Sequence, residues 1–88
     1  MHHAHLTEEI RQHARRRLEE MGAAPQADLV ETILIRDGYY CGRRFSCDGF
    51  SAVWFVEETQ VKFYHRDGRV VTSCSVEELL GKSRRHAA

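Results

Sequence analysis

Very little in this chain is extreme, and the absences bound the answer. Its 88 residues contain one proline, Pro25, and no low-complexity tract or internal repeat, so collagen-like, linker-like and solenoid readings fall away. No stretch approaches the roughly 20 apolar residues that a membrane-spanning helix needs, and the N-terminus has no apolar run behind its charges. Neither sign of charge dominates. Thirteen Lys plus Arg offset thirteen Asp plus Glu, so any affinity for nucleic acid or an acidic membrane must come from a local patch rather than the whole field. Three cysteines are an odd count, which argues against a disulfide framework and for free thiols in a cytoplasmic setting with no membrane contact.

What is present reads as one α+β domain over 1–88, with 1–5 and 83–88 as tails. Leu6, Ile10, Ala14, Leu18 and Met21 recur at 3,4 spacing, which predicts a helix from Thr7, as its cap, to Met21; Gly22 and Pro25 stop it. Three Asp-Gly pairs follow, Asp37-Gly38, Asp48-Gly49 and Asp67-Gly68, the dipeptide suited to two-residue hairpin turns. With a fourth turn at Glu57 to Gln60 they delimit five strands: Val30 to Arg36, Tyr39 to Cys47, Phe50 to Glu57, Gln60 to Arg66 and Arg69 to Ser73. Short connections make this an antiparallel meander, either open or curled toward a half-barrel. Ser75-Val76-Glu77-Glu78 is a capping-box pattern opening a short C-terminal helix that Gly81 ends.

Two-residue turns fix a register, and the register sorts side chains onto two faces. One face collects Val30, Thr32, Leu34, Cys41, Arg43, Phe45, Cys47, Phe50, Ala52, Trp54, Val56, Val61, Phe63, His65, Val70, Thr72 and Cys74, a core side against which the helices would pack. The other collects Glu31, Ile33, Ile35, Tyr40, Gly42, Arg44, Ser46, Ser51, Val53, Phe55, Glu57, Lys62, Tyr64, Arg66, Arg69, Val71 and Ser73, with Ile33, Ile35, Tyr40, Val53, Phe55, Tyr64 and Val71 as an apolar patch rimmed by Arg44, Lys62, Arg66 and Arg69. A face left in water should alternate toward polar residues, and this one is too apolar for that. Three explanations compete: a helix of the same chain or barrel curling buries it, a second copy or another protein covers it, or single-stranded nucleic acid stacks on Tyr40, Phe55 and Tyr64.

Chemistry-bearing constellations are sparse. Cys41 and Cys47 lie six residues apart on one strand, about 20 Å at the usual rise, too far to share a metal, so all three thiols read as small buried hydrophobes. Cys74, beside the cap of the last helix, is the one thiol placed for activation. Arg43 faces the core opposite Trp54, where stacking on the indole would resolve its charge; paired with His65 it is the alternative anion-binding or small-enzyme site. The Tyr39–Phe45 stretch has the aromatic and basic flavour of RNA-recognition sheets without their full motif. Arg15-Arg16-Arg17 points three ways round a helix among Glu8, Glu19 and Glu20, an ion-paired surface. The reading that results is a non-catalytic interaction domain, self-associating or binding a protein partner through Ile33, Ile35, Tyr40, Arg44, Val53, Phe55, Lys62, Tyr64, Arg66 and Arg69, with no cofactor implied.

Overall fold

The computed structural model describes residues 2–81, with side chains from His5 onward. Helix α1 spans His2–Met21, strands β1 to β5 span Val30–Arg36, Tyr39–Cys47, Phe50–Phe55, Gln60–Tyr64 and Val70–Ser75, and helix α2 spans Val76–Leu80. The strands lie in one sheet in the order β1-β2-β3-β4-β5, an antiparallel meander not closed into a barrel, with β1 and β5 at its edges among the described residues.

Helix α1 begins earlier than its periodicity predicts. Residues 2–5 continue the helix instead of forming a tail, and Thr7 is a buried residue inside it, not its cap. Ile10, Ala14 and Leu18 are fully buried one turn apart, each large one worth about 1.5–3 kcal/mol of removed apolar surface. They meet Phe45, Cys47, Phe50, Ala52, Trp54, Val61, Phe63 and Cys74 from the sheet, and Leu79 and Leu80 from α2 complete this core. Arg17 stays at its margin, its guanidinium 5.3 Å from the centre of the Phe63 ring. Both helices therefore cover the same face of the sheet.

Local chemistry ends the elements where expected. Asp37 and Gly38, then Asp48 and Gly49, have positive φ at both positions, the backbone of type I′ turns. Ser75 Oγ accepts the Glu78 N–H at 3.0 Å while Glu78 Oε1 accepts the Ser75 N–H at 2.9 Å, so the capping box closes, and Gly81 ends α2 at φ 73°. The third Asp-Gly differs. Gly68 donates to the His65 carbonyl and His65 to the Arg69 carbonyl, which makes a three-residue loop with Gly68 alone at positive φ. A register shift between Phe63 and Tyr64 then restores the pairing expected further along β4 and β5. The β3–β4 turn takes four residues, 56–59, moving that register by two and leaving the faces unchanged.

The first hairpin departs by one residue, and this has consequences. Ile35 pairs with Tyr40 but Leu34 pairs with Gly42, so Cys41 is an extra residue bulged out of the ladder. Beyond the bulge Ile33 faces Arg43 and Glu31 faces Phe45, residues of the helix side. A single-residue slip exchanges the faces of a strand. Glu31, Ile33, Ile35 and Tyr40 thus belong to the helix side of the sheet, and Thr32, Leu34 and Cys41 to the uncovered side, the reverse of the assignment two-residue turns give. The expected C-terminal tail at 83–88 lies outside the described residues.

Candidate functional site: a cationic trough on the uncovered sheet face

Because α1 and α2 share one face, the other face carries no helix among the described residues, and the reading that a helix of this chain buries it is set aside. It forms an open trough of about 1050 Å³. Ile33 to Arg36 on β1 make one wall and Tyr64, His65 and Arg66 the other; Cys41, Val53 and Phe55 lie between them, with Arg44, Ser46 and Ser51. Val53 is only 6% exposed although no other element covers it, because its ladder neighbours Arg44 and Lys62 and the curvature of the strands close over it. A sheet face that buries its own central residue is concave, and concavity is what a binding surface needs.

Charge is distributed unevenly around this trough. Arg36, Arg44, His65 and Arg66 line it and, among the described residues, no carboxylate does, although Asp67 stands 3.7 Å from His65 Nδ1, in a chain whose formal net charge is zero. Arg66 is committed elsewhere in part: its Nε donates to the Asp48 carbonyl at 3.0 Å, it pairs with the Asp48 carboxylate at 3.1 Å, and its guanidinium sits 4.7 Å from the Phe50 ring centre. Among the described residues the side chains of Arg36 and Arg44 have neither an ion-pair nor a hydrogen-bond partner.

Of the ten residues expected on the interaction face, the structure brings Arg44, Val53, Phe55, Tyr64 and Arg66 into the trough. Lys62 shares the face beside it, its ammonium 5.5 Å from the Phe55 ring centre. Arg69 does not join them: it closes on Asp67 at 2.8 Å within its own turn, where the Arg69 backbone N–H also holds the Asp67 carboxyl below its usual range. Tyr40 leaves the face through the bulge. Ile33 and Ile35 form part of the β1 wall, but by register they stand on the helix side, 53% and 59% exposed beyond the reach of α1. Leu34 and Cys41 take their place. The sequence signal for this exchange was Gly42, since an isolated glycine inside a strand pattern marks a bulge or a close backbone approach.

The helix-side cluster around Arg43 is a structural clamp. Arg43 has its guanidinium 5.7 Å from the centre of the Tyr40 ring, pairs with one carboxylate oxygen of Glu31 and donates from Nε to the Tyr40 hydroxyl at 3.0 Å. Arg11 from α1 reaches the other Glu31 oxygen at 2.7 Å, so one carboxylate ties the edge strand to both the helix and β2. The Arg11 hydrogen bond, followed by that of Arg43, holds the Glu31 carboxyl below its usual range against the opposing effect of burial. His65 is not part of this cluster. It meets the Phe50 ring edge-on at 5.3 Å, four residues along β3 from Trp54, the partner of Arg43, which is about 13 Å at the usual strand rise. Arg43 and His65 therefore do not converge on one anion.

The thiols follow a similar pattern. Cys47 and Cys74 are buried, and burial pushes the Cys74 thiol up, away from a nucleophile's range. Cys41 is half-buried and lines the trough, its Sγ 3.4 Å from the Leu34 carbonyl oxygen. Among the described residues no group of three or more His, Cys, Asp or Glu could hold a metal ion, and no helix is long and apolar enough to cross a membrane. Comparison of the chain with protein-family models, curated proteins and solved structures gives no match.

Proposed function

We propose that this chain is a non-catalytic interaction domain whose trough holds an acidic polypeptide segment of a partner protein. One observation carries the reading: on a protein of zero net charge, the concave apolar face is lined by Arg36 and Arg44, which pair with no carboxylate among the described residues, and by Arg66, which pairs with Asp48 at its margin. A carboxylate aimed at Arg44 would gain a charge-assisted, bidentate contact, while an apolar side chain beside it would remove the half-buried Phe55 and Leu34 from water. Shape and charge thus ask for the same kind of ligand, one with anionic and apolar groups alternating along an extended chain.

Single-stranded nucleic acid is the competing polyanion. With Tyr40 on the other side of the sheet, the stacking rings among the described residues are Phe55 and Tyr64 in the trough and the exposed Tyr39, paired with Arg36 at the end of the hairpin, and the balanced net charge supplies no general attraction for phosphates. The test is fluorescence anisotropy with two labelled probes, a peptide alternating Glu with Leu or Phe and an oligothymidylate. The proposal expects the peptide to bind, with salt-dependent affinity, and Arg44→Glu to abolish binding without loss of fold. Binding of the oligonucleotide alone would replace the polypeptide by nucleic acid, and binding of neither would end the reading.

A further inference from the structure

Beyond the trough, the free edge of β1 is an unprotected template for strand pairing. Proteins blunt such edges with Pro, Lys, bulges, short strands or a covering element. Strand β5, at the opposite edge, has two of these: a register shift near Val71 and the docked helix α2 immediately after it. Strand β1 has seven residues, no Pro and no Lys, and the bulge of its hairpin lies on β2. Its one interior charge, Glu31, is drawn inward by Arg11 and Arg43. What remains outward is mainly apolar and β-branched: Val30, Ile33 and Ile35 are each more than half exposed, with exposed Thr32 between them and Arg36 at the end of the strand.

We infer that two copies of this chain pair edge to edge through antiparallel β1 strands, forming one ten-stranded sheet with Ile33 on the two-fold axis. An antiparallel pair related by a two-fold axis perpendicular to the sheet keeps each residue and its copy on the same side, and centring on Ile33 is self-complementary. Ile33 then lies opposite Ile33 of the second copy, Thr32 opposite Leu34, and Glu31 opposite Ile35, with Glu31 already neutralised within its own chain. Zero net charge leaves no general repulsion between copies. The same symmetry places both helical layers on one side and both troughs on the other, with β1 at the centre as a shared wall.

Sedimentation of the full chain at high micromolar concentration tests this. The wild-type protein is expected at twice its monomer mass, Ile33→Lys at the monomer mass with an unchanged circular dichroism spectrum, and Arg44→Glu still dimeric, which separates the edge from the trough. Should Ile33→Lys fail to fold, Ile33→Cys decides: across the axis the two Cβ atoms come within about 5 Å, so mild oxidation should crosslink this variant and not the wild-type protein. A monomeric wild type, a dimer that survives Ile33→Lys, or an Ile33→Cys variant that does not crosslink overturns the inference.

Discussion

Gly42 and the Trp54 carbonyl oxygen occupy space that admits no side chain: a Cβ built on residue 42 would lie 1.9 Å from that oxygen. The contact adjoins the Cys41 bulge, where the Cys41 carbonyl accepts the Val56 N–H at 3.1 Å across the β2–β3 pair. The glycine is there for close backbone approach. Gly42→Ala should force the bulge apart at a cost of about 1–3 kcal/mol, lowering the midpoint of a thermal melt by roughly 5–15 °C for a domain of this size. An unchanged midpoint would mean the strands can spread without penalty.

Glu31 should give stability a defined pH dependence. Its folded-state pKa is depressed by Arg11 and Arg43, so its contribution is complete above the unfolded value of about 4.3 and disappears as pH falls through the folded value. Glu31→Gln is expected to be less stable than wild type by about 1–3 kcal/mol at pH 7 in urea unfolding, with the gap closing in acid. A gap that stays constant down to pH 3 would show the carboxylate is not held by the two arginines.

Arg15 should govern the connection between α1 and the sheet. Its Nη2 donates to the carbonyls of Pro25 and Ala27 at 2.7 and 2.8 Å, and its Nε reaches Glu19 at 3.2 Å. Arg15→Ala should therefore speed amide exchange at Ala27, whose N–H bonds the Ala24 carbonyl, by about tenfold for a loss near 1.4 kcal/mol. Protection in the β3 and β4 strands should not change.

Two phenylalanines separate the faces energetically. Phe45 is fully buried beneath the helices, whereas Phe55 is half-buried in the open trough. Phe45→Ala should cost about 3–5 kcal/mol, and Phe55→Ala about 1 kcal/mol from its partial burial. Equal losses in denaturant titrations would place a covering element over Phe55.

Most of the architecture was legible because independent local signals agreed. Asp37-Gly38 and Asp48-Gly49 set the turns, the Ser75 to Glu78 pattern set the cap, and the apolar runs between them fell on one side of β3 and β4 without being asked to. Side assignment failed on β1, where one bulged residue, Cys41, inverts Ile33, Leu34 and Ile35 relative to the sheet. Alternation cannot report such an inversion, since Val30, Ile33, Leu34 and Ile35 are apolar on both sides of the strand. The Arg11–Glu31–Arg43 clamp was likewise invisible, because it joins residues from three elements whose approach depends on that same bulge.

Amide and side-chain NMR shifts during titration with the Glu-rich apolar peptide show most directly whether the uncovered face receives an acidic chain. If it does, saturable changes are expected at Arg44, Val53, Phe55 and Tyr64, and none at Ile10, Leu18 or Leu79 on the helix side. Shifts centred on α1 and α2, or no shifts with saturating peptide, would contradict that reading.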